Sequence, residues 1–419
     1  MVVVADLTRS VFGATERNMT DYDVAIVGAG PAGSATAAFL SERGFSVALI
    51  DRARFPRSKP CGEYVSPEAR RILDHLLGPT ALTREDANLL DGMRVVSPDG
   101  TSFTGRFRGR HQFRGYADCG IAVPRSILDL HLVRLAQRKG ATLIEQATLR
   151  RLDAPTGGCR ALHLRRTRRP TVLTSRLVVG ADGLHSRVGR QLGVVRRGRL
   201  NRVAFVAHAS GVVAMQSVGE MHVTHEGYVG LAPVGHGTTN VSVVVDTTRI
   251  DRRLKPPQWF QHMVDALPEV RQRMAHAEYV TPVRGVGPFA RTSTRATADR
   301  AVLVGDAADF YDPFTGEGIY AALRGAELID SVVAPMLECD QLDAGHLRVY
   351  DRARRREFAG KWLVERIISW TVGHSSVLNH VARRLRSKPD LADLLVGVTG
   401  NFVPARRVLR PGFTLQLVF

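Results

Sequence analysis

The residues best suited to holding a charged ligand come early. Gly28-Ala29-Gly30-Pro31-Ala32-Gly33 follows a short apolar run, Asp23 to Val27, and precedes a helix-compatible stretch, Ser34 to Arg43, that stops at Gly44. A strand-to-helix turn of this kind sets backbone N–H groups and the positive end of a helix against a pyrophosphate. Gly28 permits the tight turn, Gly30 lets the backbone approach the phosphates, and Gly33 lets the helix pack on the strand, with Ala32 grouped with them. A second strand, Phe45 to Ile50, delivers Asp51, whose carboxylate can accept from both ribose hydroxyls of an adenosine and would repel a 2′-phosphate. Arg52 beside it joins the cofactor-binding candidates. The chemistry expected here is dinucleotide binding.

Two later segments narrow the dinucleotide. Leu177 to Gly189, containing Gly180-Ala181-Asp182-Gly183, resembles the Asp-Gly motif of the single-component flavoprotein hydroxylases typified by para-hydroxybenzoate hydroxylase. Ala301 to Ala308, containing Gly305-Asp306-Ala307, resembles their Gly-Asp motif. The resemblance spans Asp21 to Ile329. It implies FAD as cofactor, Asp306 on the ribityl chain, Arg125 contacting FAD at a helix start, and Asp182 and Arg187 serving FAD or nicotinamide. The loop Asp312 to Gly318 would pass beside the flavin ring, with Pro313 and Gly316 as the catalytic-loop residues. Gly318 joins the cofactor-binding candidates, and the helix beginning near Ile319 would aim its positive end at the ring carbonyl.

Lys59-Pro60-Cys61-Gly62-Glu63-Tyr64-Val65-Ser66-Pro67 and Asp312 to Ile319 are similar to the corresponding segments of a neighbouring branch, the geranylgeranyl reductase-like flavoproteins. That places Cys61, Glu63 and Tyr64 near FAD. The chain departs from the branch at Gly230, where its members carry a tryptophan within Tyr-x-Trp-x-Phe-Pro. Flavin-dependent halogenases carry a Trp-x-Trp-x-Ile-Pro signature, which Trp259, Trp362 and Trp370 do not form.

Positioning these groups takes interleaved elements. The expected fold is α/β. A Rossmann-type FAD-binding domain (21–76, 123–191 and 297–333) interleaves with a mostly antiparallel substrate domain (77–122 and 192–296), and a helical region (334–419) closes the chain. Strand signals at Val203 to Ala209, Met221 to His225 and Asn240 to Val245, with Gly235-His236-Gly237 as a turn, make that second sheet a roof over the flavin. On it His208, His222, His225 and Tyr228 are candidates to hydrogen-bond a phenol or enol, with His222 and Tyr228 carried forward as catalytic candidates. No metal-ligand spacing occurs among them. The run Lys361 to Val372 places Trp362, Leu363, Ile367, Ile368 and Trp370 on a broad apolar surface, suited to core, pocket wall or membrane contact.

The chain has 419 residues, 44% of them hydrophobic, and a net charge of +18. Arginine is dispersed rather than clustered with aromatics, so clusters such as Arg165-Arg166, Arg168-Arg169 and Arg196-Arg197 read as a solvated surface or a site for an anionic carrier, and no nucleic-acid partner is expected. Cys61, Cys119, Cys159 and Cys339 are widely spaced, as for free thiols in a reducing cytoplasm. Met1 to Thr20 lacks the apolar core and basic flank of a signal peptide, and no run approaches the roughly 18 apolar residues of a membrane span.

The leading expectation is an FAD-dependent, NAD(P)H-consuming monooxygenase acting on a hydrophobic aromatic or polyketide-like molecule. The alternative is an FAD-dependent reductase of isoprenoid or enone double bonds. An RNA-binding flavoprotein is the third reading, tested by whether retention on nucleic acid survives physiological salt.

Overall fold

The computed structural model describes residues 20–108, 112–166, 169–198, 200–250 and 253–418; the N-terminal stretch before Thr20 and Arg168 lie outside the described residues. The protein is α/β. Five strands, Ala301–Leu303, Arg169–Gly180, Tyr22–Val27, Val47–Ile50 and Thr142–Ile144, lie side by side in parallel in that order. The central ones are apolar along their whole length, as in a sheet covered on both faces; Val24 to Ile26, Val47 to Ile50 and Leu177 to Val179 are buried. Helices Pro31–Glu42, Arg125–Arg138 and Gly318–Leu328 pack together against this layer. The far half of Arg169–Gly180 turns antiparallel with Arg160–Arg166, which pairs in turn with Ala147–Leu152.

A second large sheet takes its strands from 92–106 and 202–286 and is antiparallel except where Gly219–Val223 runs parallel to Gly92–Val96. Its longest members, Arg202–Ser210, Gly227–Pro233 and Thr238–Asp246, are neighbours. Gly235, His236 and Gly237 make the turn between the last two, His236 and Gly237 both at positive φ. Alternation divides this sheet into two faces. Phe205, Ala207, Val229, Leu231, Val241 and Val243 point back onto helix Pro256–Asp265, where Trp259, Phe260 and Met263 are buried against them. The opposite face looks toward the first sheet and the C-terminal helices.

Those helices are Ala344–Val372, Ser375–Ser387, Pro389–Thr399 and Pro411–Val418. The expected run from Lys361 is thus the C-terminal part of a much longer helix. Asp343 starts it by accepting from the N–H groups of Gly345 and His346 at 2.8 and 3.1 Å. Among the described residues, no helix is long and apolar enough to cross a membrane.

Candidate functional site

The glycine-rich turn is held by contacts that exclude any side chain. Gly28 has φ +105°, and a Cβ there would lie 2.4 Å from the Ala181 carbonyl oxygen; at Gly33 the clash would be with the Gly28 oxygen at 1.8 Å. Helix Pro31–Glu42 therefore starts hard against two strand ends. Gly30, its N-cap, offers no capping side chain, so the first N–H groups face outward. Asp51 is 7% exposed and accepts from Ala29 N–H and Ala53 N–H, both at 2.8 Å, which ties the end of the second strand to the turn.

Of the cations expected near this turn, Arg125 lies beside it, and Arg57 joins it. Arg52 is exposed. Arg57 instead lies 3.7 Å from Asp51 and 2.9 Å from Asp129. Arg125 is buried, its backbone N–H donating to Glu63 at 2.8 Å and its guanidinium gripping Asp129 with two bonds of 2.8 Å. Burial and the neighbouring Arg125 charge push the Lys59 ammonium down. Arg57 and Lys59 went unassigned because a loop after a strand gives no periodicity from which to aim its side chains.

Asp182 also differs. Its carboxylate accepts from Ser186 Oγ, from Arg187 N–H at 2.6 Å and from Val188 N–H at 3.3 Å, capping the short helix Arg187–Gln191. Arg187 reaches the Leu149 carbonyl at 3.1 Å. Both residues fix a turn, and Asp182 presses its backbone against Gly28 rather than presenting a free carboxylate.

Glu63, itself at positive φ, joins the two sheets. Besides Arg125 it accepts from Asn240 Nδ2 at 3.0 Å and pairs with His208 Nε2 at 2.6 Å. Asn240 donates to the Cys61 carbonyl at 2.8 Å as well. His208 is thus a structural partner of the Cys61 segment. His225 is exposed and bonds Ser375 at 2.9 Å. His222 pairs in register with Val229, which puts it on the back face, away from Tyr228. There, 1% exposed, it bonds Glu220 at 2.8 Å within an ion cluster of Arg94, Glu269 and Arg273. Against the cost of burial, His222 and Arg273 hold the Glu220 carboxyl at about 2. The structure removes His222 from the catalytic candidates.

Tyr228 lies on the front face and its hydroxyl donates to Asp312 at 2.9 Å. Asp312 gathers four donors: Tyr228, Ser369 Oγ at 2.9 Å, Phe314 N–H at 3.0 Å and the Arg202 guanidinium. Its own N–H donates to Glu365 at 3.0 Å. This hub anchors the turn Pro313–Thr315 and leaves Gly316 at φ +70°, with Tyr64 only 2.7 Å from where a Cβ would sit.

The elements converge on one cavity. Gly30, Ala32, Cys61, Glu63, Arg125, Asp306, Pro313, Gly316 and Gly318 line it, with Tyr228, Met221 and Ser242 from the second sheet. A second chamber, almost wholly apolar, lies beyond. Met221 borders both, and Phe314 and Thr315 face the second while Pro313 and Gly316 face the first. Gly230 sits at this junction, its missing Cβ within 3.2 Å of Ser242 Oγ and Met221 Sδ.

Residues 21–361 match the family described as FAD binding domain. The chain belongs to that family. It is an FAD-dependent oxidoreductase. A digeranylgeranylglycerophospholipid reductase of Methanococcoides burtonii is 27% identical over 413 residues, covering 94% of this chain and 96% of its own. The fold matches a flavoprotein/dehydrogenase from Cytophaga hutchinsonii with TM-score 0.81 at 17% identity, over 95% of this chain and 98% of that one. It also matches a geranylgeranyl bacteriochlorophyll reductase-like protein from Thermoplasma acidophilum with TM-score 0.74 at 20% identity, over 95% of each chain.

The residues present fit FAD. The uncapped start of helix Pro31–Glu42 and the bare Gly30, bordered by Arg57 and Arg125, suit a diphosphate. Asp51 suits the adenosine ribose, Asp306 the ribityl hydroxyls, and the start of helix Gly318–Leu328, where the Glu317 side chain accepts no capping hydrogen bond, a ring carbonyl. Bound FAD supplies two-electron redox chemistry.

Behind the oxidoreductase's flavin loop lies a buried acid pair in a polar cleft shared with Lys361 and Trp362. Burial, aided by the Glu317 and Asp312 charges, pushes Glu365 up to about 8, and burial pushes Glu317 to about 7 against the pull of Lys361. A carboxyl with a raised folded-state value binds a proton the unfolded chain has released. Its contribution to stability is complete below the ordinary value of 4.5 and is lost as pH rises through about 8. Glu365→Gln keeps an acceptor for the Asp312 N–H but cannot ionise. It should gain on the order of 1–3 kcal/mol over the parent at alkaline pH and almost nothing in mild acid, read from thermal or denaturant unfolding at the two pH values. An equal change at both would refute the assignment.

Proposed function

We propose that this oxidoreductase reduces carbon–carbon double bonds of a prenyl-chain lipid, with NAD(P)H as the electron source. The apolar chamber carries the proposal. Val95, Phe103, Met221, Phe314, Ile368 and Leu395 are among its walls, and it borders the FAD cradle at Met221 and at the loop that carries Pro313 and Gly316. A long hydrocarbon chain fits such walls without leaving polar groups unpaired, whereas a small phenol would find few partners there. The relationship to the archaeal lipid reductase points the same way and favours double-bond reduction over the hydroxylation expected from the motifs.

In this reading the protein's part is to seat one double bond at the junction and exclude water. Burial, with the Asp312 charge, pushes the Tyr228 phenol far up, so it remains a donor that positions the loop. Cys61 lies on the wall of the cofactor cavity, where its sulfur receives the Glu63 N–H at 3.3 Å. Reduction adds hydride to one alkene carbon and a proton to the other.

The test incubates holoenzyme and NADPH with a panel of prenyl lipids, quinones and phenols, with and without oxygen, and weighs the products. A gain of two hydrogens per double bond, unchanged when oxygen is removed, is expected. An oxygen-dependent gain of one oxygen atom would overturn the proposal and restore the hydroxylase.

A further inference from the structure

Among the large apolar side chains exposed on the C-terminal helices are Leu363, Ile367, Trp370 and Leu415, at 49, 47, 56 and 55%. Single exposed hydrophobics need no explanation, but these are not scattered. Leu363, Ile367 and Trp370 follow the i, i+4, i+7 spacing of one helix face. Ile367 and Trp370 also line the apolar chamber, so they stand at its mouth. Leu415 lies on helix Pro411–Val418, whose Phe413, Thr414 and Leu417 line the same chamber.

Cations rim this patch. Arg384 and Lys388 both donate to the Gln416 carbonyl, at 3.4 and 3.0 Å, which places them beside Leu415. Arg406 and Arg410, on the approach to that helix, are exposed. From Arg366 to Arg410 the chain carries seven arginines and Lys388 against Asp390 and Asp393. An apolar face edged by arginine and lysine is the surface that settles at the headgroup boundary of an anionic bilayer.

We propose that this rim docks on an anionic lipid surface, so that the mouth of the chamber opens into the acyl layer and a prenyl lipid enters without crossing water. The inference rests on reading the chamber as the prenyl site, but the two fail separately, because docking is measured without substrate.

FAD-loaded full-length protein is sedimented with sucrose-loaded vesicles of phosphatidylcholine alone or of an equal mixture with phosphatidylglycerol. Partitioning onto the anionic vesicles should exceed that onto neutral ones by about tenfold or more. Leu363→Ser/Leu415→Ser, neither residue lining the chamber, should weaken binding to anionic vesicles by roughly tenfold. Arg406→Glu/Arg410→Glu should abolish the preference for negative charge. Both variants should keep FAD and turn over a short, water-dispersed prenyl substrate at the parental rate. A parent protein that stays in the supernatant, or variants that sediment like it, would overturn the proposal. So would light scattering that shows a dimer broken by Leu363→Ser/Leu415→Ser, since a second copy would then cover the patch.

Discussion

Gly30→Val should purify as a folded protein that has lost its yellow colour. Gly30 has φ −80° and ψ −172°, backbone that any residue adopts. The nearest atoms to a Cβ built there are guanidinium nitrogens of Arg57 and Arg125, both 3.6 Å away, so the protein itself accommodates the branch. The ligand does not. The valine methyls would occupy the space through which a diphosphate must reach the first N–H groups of helix Pro31–Glu42, and the two arginines would face hydrocarbon. FAD affinity should fall on the order of a hundredfold or more, with circular dichroism and the unfolding midpoint of apoprotein unchanged. Gly33→Val is the contrasting variant. Its Cβ would lie 1.8 Å from the Gly28 oxygen, so strand and helix must separate and the protein should fail to fold. Stoichiometric flavin absorbance in Gly30→Val would remove the turn from the cofactor site.

These two glycines also show how far sequence alone could be read. A strand, a tight turn and a helix are local, so Gly28 to Gly33 and Asp51 could be placed from spacing and side-chain type. The cation that accompanies them could not. Arg52 adjoins Asp51 in sequence and points to solvent, whereas Arg57 returns through a loop to lie between Asp51 and Asp129. The roof illustrates parity. Tyr228 and His222 both lie on strands of the second sheet, but the pairing of His222 with Val229 puts them on opposite faces, and one residue of register decides this. The apolar chamber is least legible of all. An apolar stripe on Ala344–Val372 is visible as periodicity, yet periodicity names no partner, and the chamber exists only where four helices and a sheet edge stop short of one another.

Asp312→Ala should be the most damaging substitution outside the glycines. The carboxylate is fully buried and is the common acceptor for Arg202, Tyr228, Ser369 and the Phe314 N–H, which come from two strands of the second sheet, the long C-terminal helix and the flavin loop. Removing it leaves the Arg202 guanidinium, whose side chain is only 12% exposed, without its counter-charge. A broken buried pair of this kind costs about 3–5 kcal/mol, chiefly because the surviving charge stays desolvated. Tyr228→Phe deletes one of four donors and keeps the edge-on contact with the Phe314 ring, at 5.0 Å between centroids, so it should cost less, about 1.5–3 kcal/mol. Denaturant unfolding of the two variants separates a charged hub from one of its hydrogen bonds. Turnover adds the functional half: Pro313 and Gly316 hang from Asp312, so Asp312→Ala should lose on the order of a hundredfold in kcat even when saturated with FAD. Combining it with Arg202→Leu should recover part of the stability, because the orphaned charge is gone, while the loop remains without its anchor and the rate stays low.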